Sequence, residues 1–379
     1  EIEGINLDTD FLKDLAVGID ADILALEESI YELAGEEFNI ASPKQLGDIL
    51  FGKLELVKNP KKTKTGQFST AEDIIAPLAK DHEIVEKVLE YRGLAKLKST
   101  YVDALPKEYL QTVAATGRLS SNNPNLQNIP IRTERGRLVR KAFVPRDENY
   151  TLMAADYSQI ELQMIAALSK EEAMIEAFQR GEDIHASTAA RVFNVPLDEV
   201  TRTQRDQAKT VNFGIIYGVS AFGLSNQTNL SRTEARDLID TYYETYPKLK
   251  DYMDKQVAFA REEGYVETVL GRRRYLADIN GRNAMLRGMA ERNAVNAPIQ
   301  GSAADIIKIA MINIHKELEE RKLKTKMLLQ VHDELVFDVY KPELEEVTKL
   351  VTELMEEAFP LIVPLKVDIG LGDNWLEAH

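Results

Sequence analysis

The chain has 379 residues, 44% of them apolar, a formal net charge of −15 and no cysteine. It is long enough for several subdomains with substantial cores, has an ordinary globular composition, and contains no apolar run of membrane-spanning length. Disulfides and thiol catalysis are excluded, and a reducing compartment, the cytoplasm, is the expected location. The surplus of acid argues weakly against nucleic acid, because duplex binding depends on neutralising phosphates. Where the cations cluster matters more than their total.

In chain order, Glu1-Ile2-Glu3-Gly4 reads as neither signal nor transit peptide, and residues 1–100 read as mostly helical. Leu12, Leu15, Ile19, Ile23, Leu26 and Ile30 keep a helical period over Asp10–Leu33, with Asp8 and Asp10 suited to capping its start. Lys58, Lys61, Lys62 and Lys64 follow in an acid-free stretch punctuated by Pro60 and Gly66, which reads as a flexible basic loop. A second helical pattern covers Ile84–Tyr101. Residues 101–150, richer in Pro, Asn and Arg, read as loops and short strands and carry a second cation group, Arg132, Arg135, Arg137, Arg140 and Lys141. Helical patterning then runs from Ser158 to about Ile312, with turns at Gly181, Pro196, Gly218, Pro247, Gly264 and Gly281. A third group is Arg272-Arg273-Arg274. The end returns to strand, turn, strand: Met327–Val331, His332-Asp333-Glu334, Leu335–Val339.

Two acidic segments end apolar runs: Asp156-Tyr157-Ser158-Gln159-Ile160-Glu161 after Thr151–Ala155, and Val331-His332-Asp333-Glu334 after Met327. A carboxylate at the end of a buried strand is costly without a cation beside it. Two of them on strands that could be neighbours suggest a shared divalent-metal site, and oxygen-only ligands favour Mg²⁺ or Mn²⁺ over zinc. Between them, Arg205, Lys209, Phe213 and Tyr217 recur every fourth residue, forming one slanting stripe if the segment is helical. Cations at the N-terminal half and rings at the C-terminal half suit a triphosphate and a stacked base. The alternative is an amphipathic helix with core aromatics, weakened because Val211, Ile215 and Ile216 already supply an apolar face. Gly214 and Gly218 cost helix stability and suggest a close approach or a hinge.

These segments resemble the three polymerase motifs of the family A DNA polymerases, the polymerase portion of bacterial DNA polymerase I. Further matching segments are Thr116–Ser121, Pro124–Pro130, Asp183-Ile184-His185 and Asn296–Gly301. The resemblance covers essentially the whole chain to Trp375. It implies an α+β right-hand fold with an antiparallel palm sheet, helical fingers and a helical thumb. The implied bounds are thumb 1–100, palm 101–164 and 286–379, and fingers 165–285. Because the first residues already match the thumb, neither a 3′–5′ exonuclease nor a 5′ nuclease domain is expected in this chain.

By the same resemblance, Asp156 and Asp333, with the backbone carbonyl of Tyr157, would hold two Mg²⁺ ions, for which Mn²⁺ can substitute. Arg205, Lys209 and His185 would grip the triphosphate, Lys209 also serving catalysis. Phe213 and Tyr217 would wall the new base pair, with Gln159 at the substrate. Read from the residues alone, His185 could instead be a neutral polar contact behind Asp183. Glu161 could be a third acid of the metal cluster; the family places it against Tyr217, where it excludes a ribose 2′-hydroxyl. Glu334 could assist a metal or merely solvate the turn. Arg118, Asn125, Gln127, Arg292, Asn296 and Gln300 would contact the duplex, where minor-groove acceptors are degenerate among base pairs. His332 would lie at the primer terminus, and Lys58, Lys61, Lys62 and Lys64 would track the phosphate backbone. The implied partners are primer-template DNA and deoxynucleoside triphosphates, with no membrane, for a monomeric enzyme.

Two residues depart from the family pattern: Gln163 stands where Arg is usual and Ala167 where His is common. Losing that cation is expected to loosen the primer or shift substrate preference. The competing readings are a single-subunit RNA polymerase, a two-metal nuclease and a non-catalytic DNA-binding module. The pairing of Glu161 with Tyr217 opposes the first, and a nuclease has no use for the cationic-aromatic stripe. Two intact acids oppose the third.

Overall fold

The computed structural model describes residues 4–105, 110–113, 118–122, 124–130, 133–228 and 230–379, of which 110–113 and 120–122 are described by backbone alone. Arg132, and Thr116 and Gly117 of the Thr116–Ser121 segment, lie outside the described residues. The chain divides into two compact units, one of residues 1–111, 121–148 and 372–379, the other of residues 112–120 and 149–371.

In the first unit, strand β1 (Asn6–Leu7) leads into helix α1 (Thr9–Ala34). Asp8 caps α1 by accepting from the Phe11 amide, and Gly35 ends it at φ 71°, a left-handed conformation that glycine adopts without a side-chain clash. Asp10 pairs instead with Lys13 in the first turn. The apolar face of α1 continues through Ile30 and Ala34 into a core shared with Leu50, Ile75, Val85 and Val88, the last two on α2 (Glu83–Leu97). Helix α3 (Glu134–Lys141) and strand β2 (Phe143–Val144), which pairs with β1, stand where loops and short strands were expected. The Trp375 ring packs edge-on against Phe143, and Arg140 lies over its face at 4.4 Å.

The second unit is built on a four-stranded sheet. Its strands are β3 (Tyr150–Tyr157), β6 (Lys326–Val331), β7 (Glu334–Tyr340) and β8 (Val367–Gly372). Between β3 and β6 come α4 (Ile160–Ser169), α5 (Ile184–Val192), α6 (Arg202–Ile216), α7 (Pro247–Glu263), the hairpin β4 (Tyr265–Glu267) and β5 (Arg273–Tyr275), and α8 (Ala284–Glu320). The sheet order is β8-β3-β7-β6, with β3 antiparallel to β7 and β7 antiparallel to β6. Its apolar residues Met153, Ala155, Leu335, Phe337 and Val339 share one core with α4, α6, α8 and α9 (Leu344–Glu356). A sheet covered this way explains the nearly unbroken apolar runs of β3 and β7.

Three parts of this unit differ from the sequence expectation. The β4–β5 hairpin occupies the stretch between the expected turns at Gly264 and Gly281, α8 runs on to Glu320, and β8 adds an edge strand after α9. Pro298 sits inside α8 and is itself buried.

Candidate active site

The strand register brings the acids to one corner. Asp156, the penultimate residue of β3, lies opposite Glu334, the first residue of β7, and the Tyr157 amide donates to the Asp333 carbonyl at 3.1 Å. The two-residue turn His332-Asp333 joins β6 to β7 and is entered through His332 at φ 53°. A tight turn between paired strands fixes where Asp333 stands relative to Asp156, since a slip of one residue would reverse every side chain. His332 itself is exposed. Glu334 is 3% exposed, so it does not solvate the turn; that alternative fails because its strand position faces the interior.

The Asp333 side chain is 29% exposed, yet burial raises its pKa from the usual carboxylate value to about 6. Arg118 opposes this shift and the Glu161 charge adds to it. Among the described residues no group of three or more His, Asp and Glu side chains is arranged to hold a metal. Asp156, Asp333 and the Tyr157 carbonyl offer oxygen donors only, the donor chemistry that Mg²⁺ takes, and a cation beside Asp333 would offset the cost of its buried charge.

Arg118 joins this corner to its neighbours. Its guanidinium lies 2.5 Å from Glu161 Oε1 and 3.6 Å from Asp333 Oδ1. Glu161, in the first turn of α4 and almost wholly buried, accepts at its other oxygen from the Tyr217 hydroxyl at 2.5 Å. Burial, then the Glu161 charge, pushes the Tyr217 phenol well above its ordinary pKa, so it stays protonated and donates; Gln300 also bonds this hydroxyl. Glu161 is thus committed to Arg118 and Tyr217. Gln159 precedes α4 at φ 62°, and its side-chain oxygen is buried with no partner among the described residues.

Helix α6 begins with a capping box, Thr201 and Gln204 exchanging bonds, and Tyr217 caps its end. Ala208, Val211, Asn212, Ile215 and Ile216 are buried, whereas Lys209 and Tyr217 are exposed and Arg205 and Phe213 half-buried. Lys209 and Tyr217 therefore lie off the core face, while Phe213 packs against the edge of the core. Gly214 and Gly218 serve close approach: a Cβ at Gly214 would meet Val219 at 2.8 Å, and one at Gly218, where φ is +69°, would meet Arg292 at 2.8 Å. Arg205 makes a two-pronged bond to Asp183 Oδ2 at 2.9 and 2.7 Å. Burial works against the Asp183 charge, but the amides of Ala186 and His185 and the Arg205 guanidinium hold its carboxyl below the usual range. His185 is 2% exposed, and burial lowers its pKa to about 4, with Lys209 and Arg205 helping and Asp183 opposing. It is a neutral imidazole here, so it adds no charge to the stripe.

Arg292, Asn296 and Gln300 follow one another at four-residue spacing on α8, forming a stripe of their own. Gln163 lies in the interior, 1% exposed, its amide donating to the Pro364 carbonyl at 3.2 Å.

Among the described residues, the lysine loop is the cation group that is exposed throughout. In the first unit Lys58, Lys61, Lys62 and Lys64 are all exposed. The loop is pinned by backbone bonds from Thr63 to Gln67 and from Ser69 to Lys61, so it is a hairpin-like turn rather than a loose loop. In the second group Arg140 is buried on Trp375 and Arg135 is 2.8 Å from Asp22, while Arg137 and Lys141 are exposed. In the second unit Arg272 pairs with buried Asp305 and Arg273 with Glu267. Also in the first unit, Asn125 caps a short 3-10 turn, accepting from the Gln127 amide, and both side chains are half-buried. Sequence reading missed Arg118 as the residue linking Asp333 to Glu161, and Asp183 as the Arg205 counter-ion; neither pairing has a periodic signature.

A sequence model described as DNA polymerase family A matches residues 9–377. The chain is 54% identical over 390 residues to DNA polymerase I of Streptococcus pneumoniae serotype 4, covering 100% of this chain and 44% of that protein. It is 50% identical over 389 residues to DNA polymerase I of Geobacillus stearothermophilus, again 100% of this chain and 44% of the relative. The chain thus spans less than half the length of these relatives. Among solved structures, the POL domain of Pol1 from M. smegmatis, in complex with DNA primer-template and dNTP, superposes with a TM-score of 0.92. It is 45% identical, with 99% of this chain and 68% of that one covered.

Proposed function

The chain belongs to DNA polymerase family A and has its α+β polymerase fold, and from that premise we propose that it is a template-directed DNA polymerase, adding deoxynucleotides to a primer 3′-hydroxyl. The observation that carries this reading is the unbroken side-chain path Asp333–Arg118–Glu161–Tyr217, which ties the acid corner to the α6 stripe. A nuclease would need the corner and not the stripe.

Asp156, Asp333 and the Tyr157 carbonyl would hold Mg²⁺, or Mn²⁺ in its place. Such ions activate the attacking hydroxyl and neutralise the departing pyrophosphate in an in-line displacement. Lys209 and Arg205 bind the triphosphate and stabilise charge as it grows on the leaving group. Arg205 must exchange Asp183 for phosphate, which keeps the grip weak until nucleotide arrives. His185 contributes an N–H donor beside them. Glu334 supports the corner from β7.

Phe213 and Tyr217 present rings to the incoming base pair, with Gln159 nearby in sequence to Glu161. The Glu161–Tyr217 bond closes the space a ribose 2′-hydroxyl would need. Arg118, Arg292, Asn296 and Gln300 test minor-groove acceptors, His332 meets the primer end, and Asn125 and Gln127 contact the template-primer duplex. Lys58, Lys61, Lys62 and Lys64 track phosphates. The proposed subdomains are thumb 1–100, palm 101–164 and 286–379, and fingers 165–285, the chain acting as a cytoplasmic monomer. The last fingers boundary falls in the first turn of α8. Primer extension with matched DNA and RNA templates and each nucleotide set tests the reading: templated deoxynucleotide addition supports it, and primer shortening or ribonucleotide preference contradicts it.

A further inference from the structure

A string of buried polar groups lies against the core side of α6. Asn212, Thr188 and Tyr246 are fully buried and His185 nearly so. The Tyr246 hydroxyl is 3.2 Å from Thr188 Oγ1, which is 3.2 Å from both Asn212 Oδ1 and Nδ2. Asn212 Nδ2 is in turn 3.0 Å from His185 Nδ1. A carboxamide at a fully buried helix position costs free energy that leucine would not, unless its bonds are all made. Here both carboxamide atoms have partners, Nδ2 also donating back to Thr188 Oγ1. Tyr246 donates to Thr188, Thr188 donates to Asn212 Oδ1, and Asn212 Nδ2 donates to His185 Nδ1. A ring nitrogen that accepts carries no proton, so the single imidazole proton stands on Nε2, on the other side of the ring.

We propose that Asn212, oriented by Thr188 and Tyr246, is a positioning residue that fixes His185 as a neutral imidazole with its proton on Nε2, giving the phosphate-binding face of α6 a directional donor rather than a third cation. This rests on the reading of Arg205, Lys209 and His185 as the triphosphate grip. The surroundings agree with it. Lys209 and Arg205 disfavour a further positive charge, and Asp183 is already engaged by Arg205 and by the amides of His185 and Ala186. Phe213 packs against the ring at 5.6 Å between centroids, restricting its rotation. A charged imidazole would titrate near neutral pH and make triphosphate binding pH-dependent; a neutral one does not.

The test is the tautomer itself. The chain has five histidines, so long-range ¹H–¹⁵N correlation on ¹⁵N-histidine-labelled protein is tractable, with the His185 signal identified by its loss in His185→Gln. In the nucleotide-free wild type the expected pattern is a protonated Nε2 and bare Nδ1, unchanged from about pH 5.5 to 8. Asn212→Asp offers Nδ1 an acceptor, so it should move the proton there or charge the ring, raising the His185 pKa by about one unit or more. Its KM for deoxynucleotide should then vary between about pH 6 and 8 where the wild type is flat. Asn212→Leu should give mixed tautomers. A wild-type Nδ1–H tautomer, ordinary titration of His185, or variant spectra identical to wild type at this residue would each overturn the proposal. The wild-type spectrum decides even if a variant fails to fold. An Nε2–H tautomer that does not respond to added deoxynucleoside triphosphate, with an unchanged KM in His185→Gln, would support the tautomer assignment and overturn the phosphate role of His185.

Discussion

At the strand corner, charge is held by backbone register: Asp156 and Asp333 are where β3 and the β6–β7 turn put them, partly covered, with Asp333 raised to about 6. On α6, charge is held by side chains alone, Lys209 exposed and Arg205 resting on Asp183. The acids are fixed, and their desolvation is already borne by the sheet core. The cations are not held by backbone register, and an exposed lysine pays little desolvation in its free form. A site of this kind has a rigid half that demands a cation and an adaptable half that accepts an anion, which suits a metal-triphosphate substrate.

The largest expected effect breaks the rigid half. Asp156→Ala or Asp333→Ala should lower extension at least about 10²-fold, with primer-template affinity nearly unchanged by filter binding. Retention of more than a small fraction of turnover would remove that residue from the catalytic pair. The adaptable half should yield more gently. Lys209→Ala should slow single-turnover chemistry by about 10- to 100-fold, and Arg205→Ala should also raise the nucleotide KM. Loss of primer-template affinity with an unchanged KM would assign the helix to the duplex instead.

Where the halves meet, Glu161→Ala removes the partner of both Tyr217 and Arg118. The ratio of kcat/KM for ribonucleotides to that for deoxynucleotides should rise by about 10-fold or more. An unchanged ratio would place sugar selection elsewhere. The smallest effect is on stability without metal. The folded pKa of Asp333 lies above its unfolded value, so below about pH 4 the group is protonated in both states and costs nothing. As pH rises through about 6 the folded state must carry an unfavourable charge, and stability falls by on the order of 2 kcal/mol. Thermal melts of metal-free wild type should show this decline and Asp333→Asn should not; equal profiles would mean the charge is fully compensated.

Much of this contrast was legible in the sequence. The strands around Asp156 and Asp333 announce themselves as apolar runs, and the α6 stripe is readable because helical spacing is local. Val211, Ile215 and Ile216 correctly mark its core face. What was not legible depends on partners far away in the chain. Arg140 and Arg272 read only as members of cation groups, and nothing nearby in sequence shows that Arg140 lies over Trp375 or that Arg272 pairs with Asp305. That Gln163 is buried and bonded to the Pro364 carbonyl likewise depends on a partner about 200 residues away. The edge strand β8 has little alternation, and the β4–β5 hairpin is too short to interrupt a helical reading.

The central claim, that corner and stripe form one site for nucleotide addition, is tested most directly by a labelled primer on a DNA template with one matched deoxynucleotide, with and without Mg²⁺. The account predicts a primer one residue longer only when template, matched nucleotide and metal are all present. A primer that is shortened, or one that is bound and never lengthened under those conditions, would contradict it.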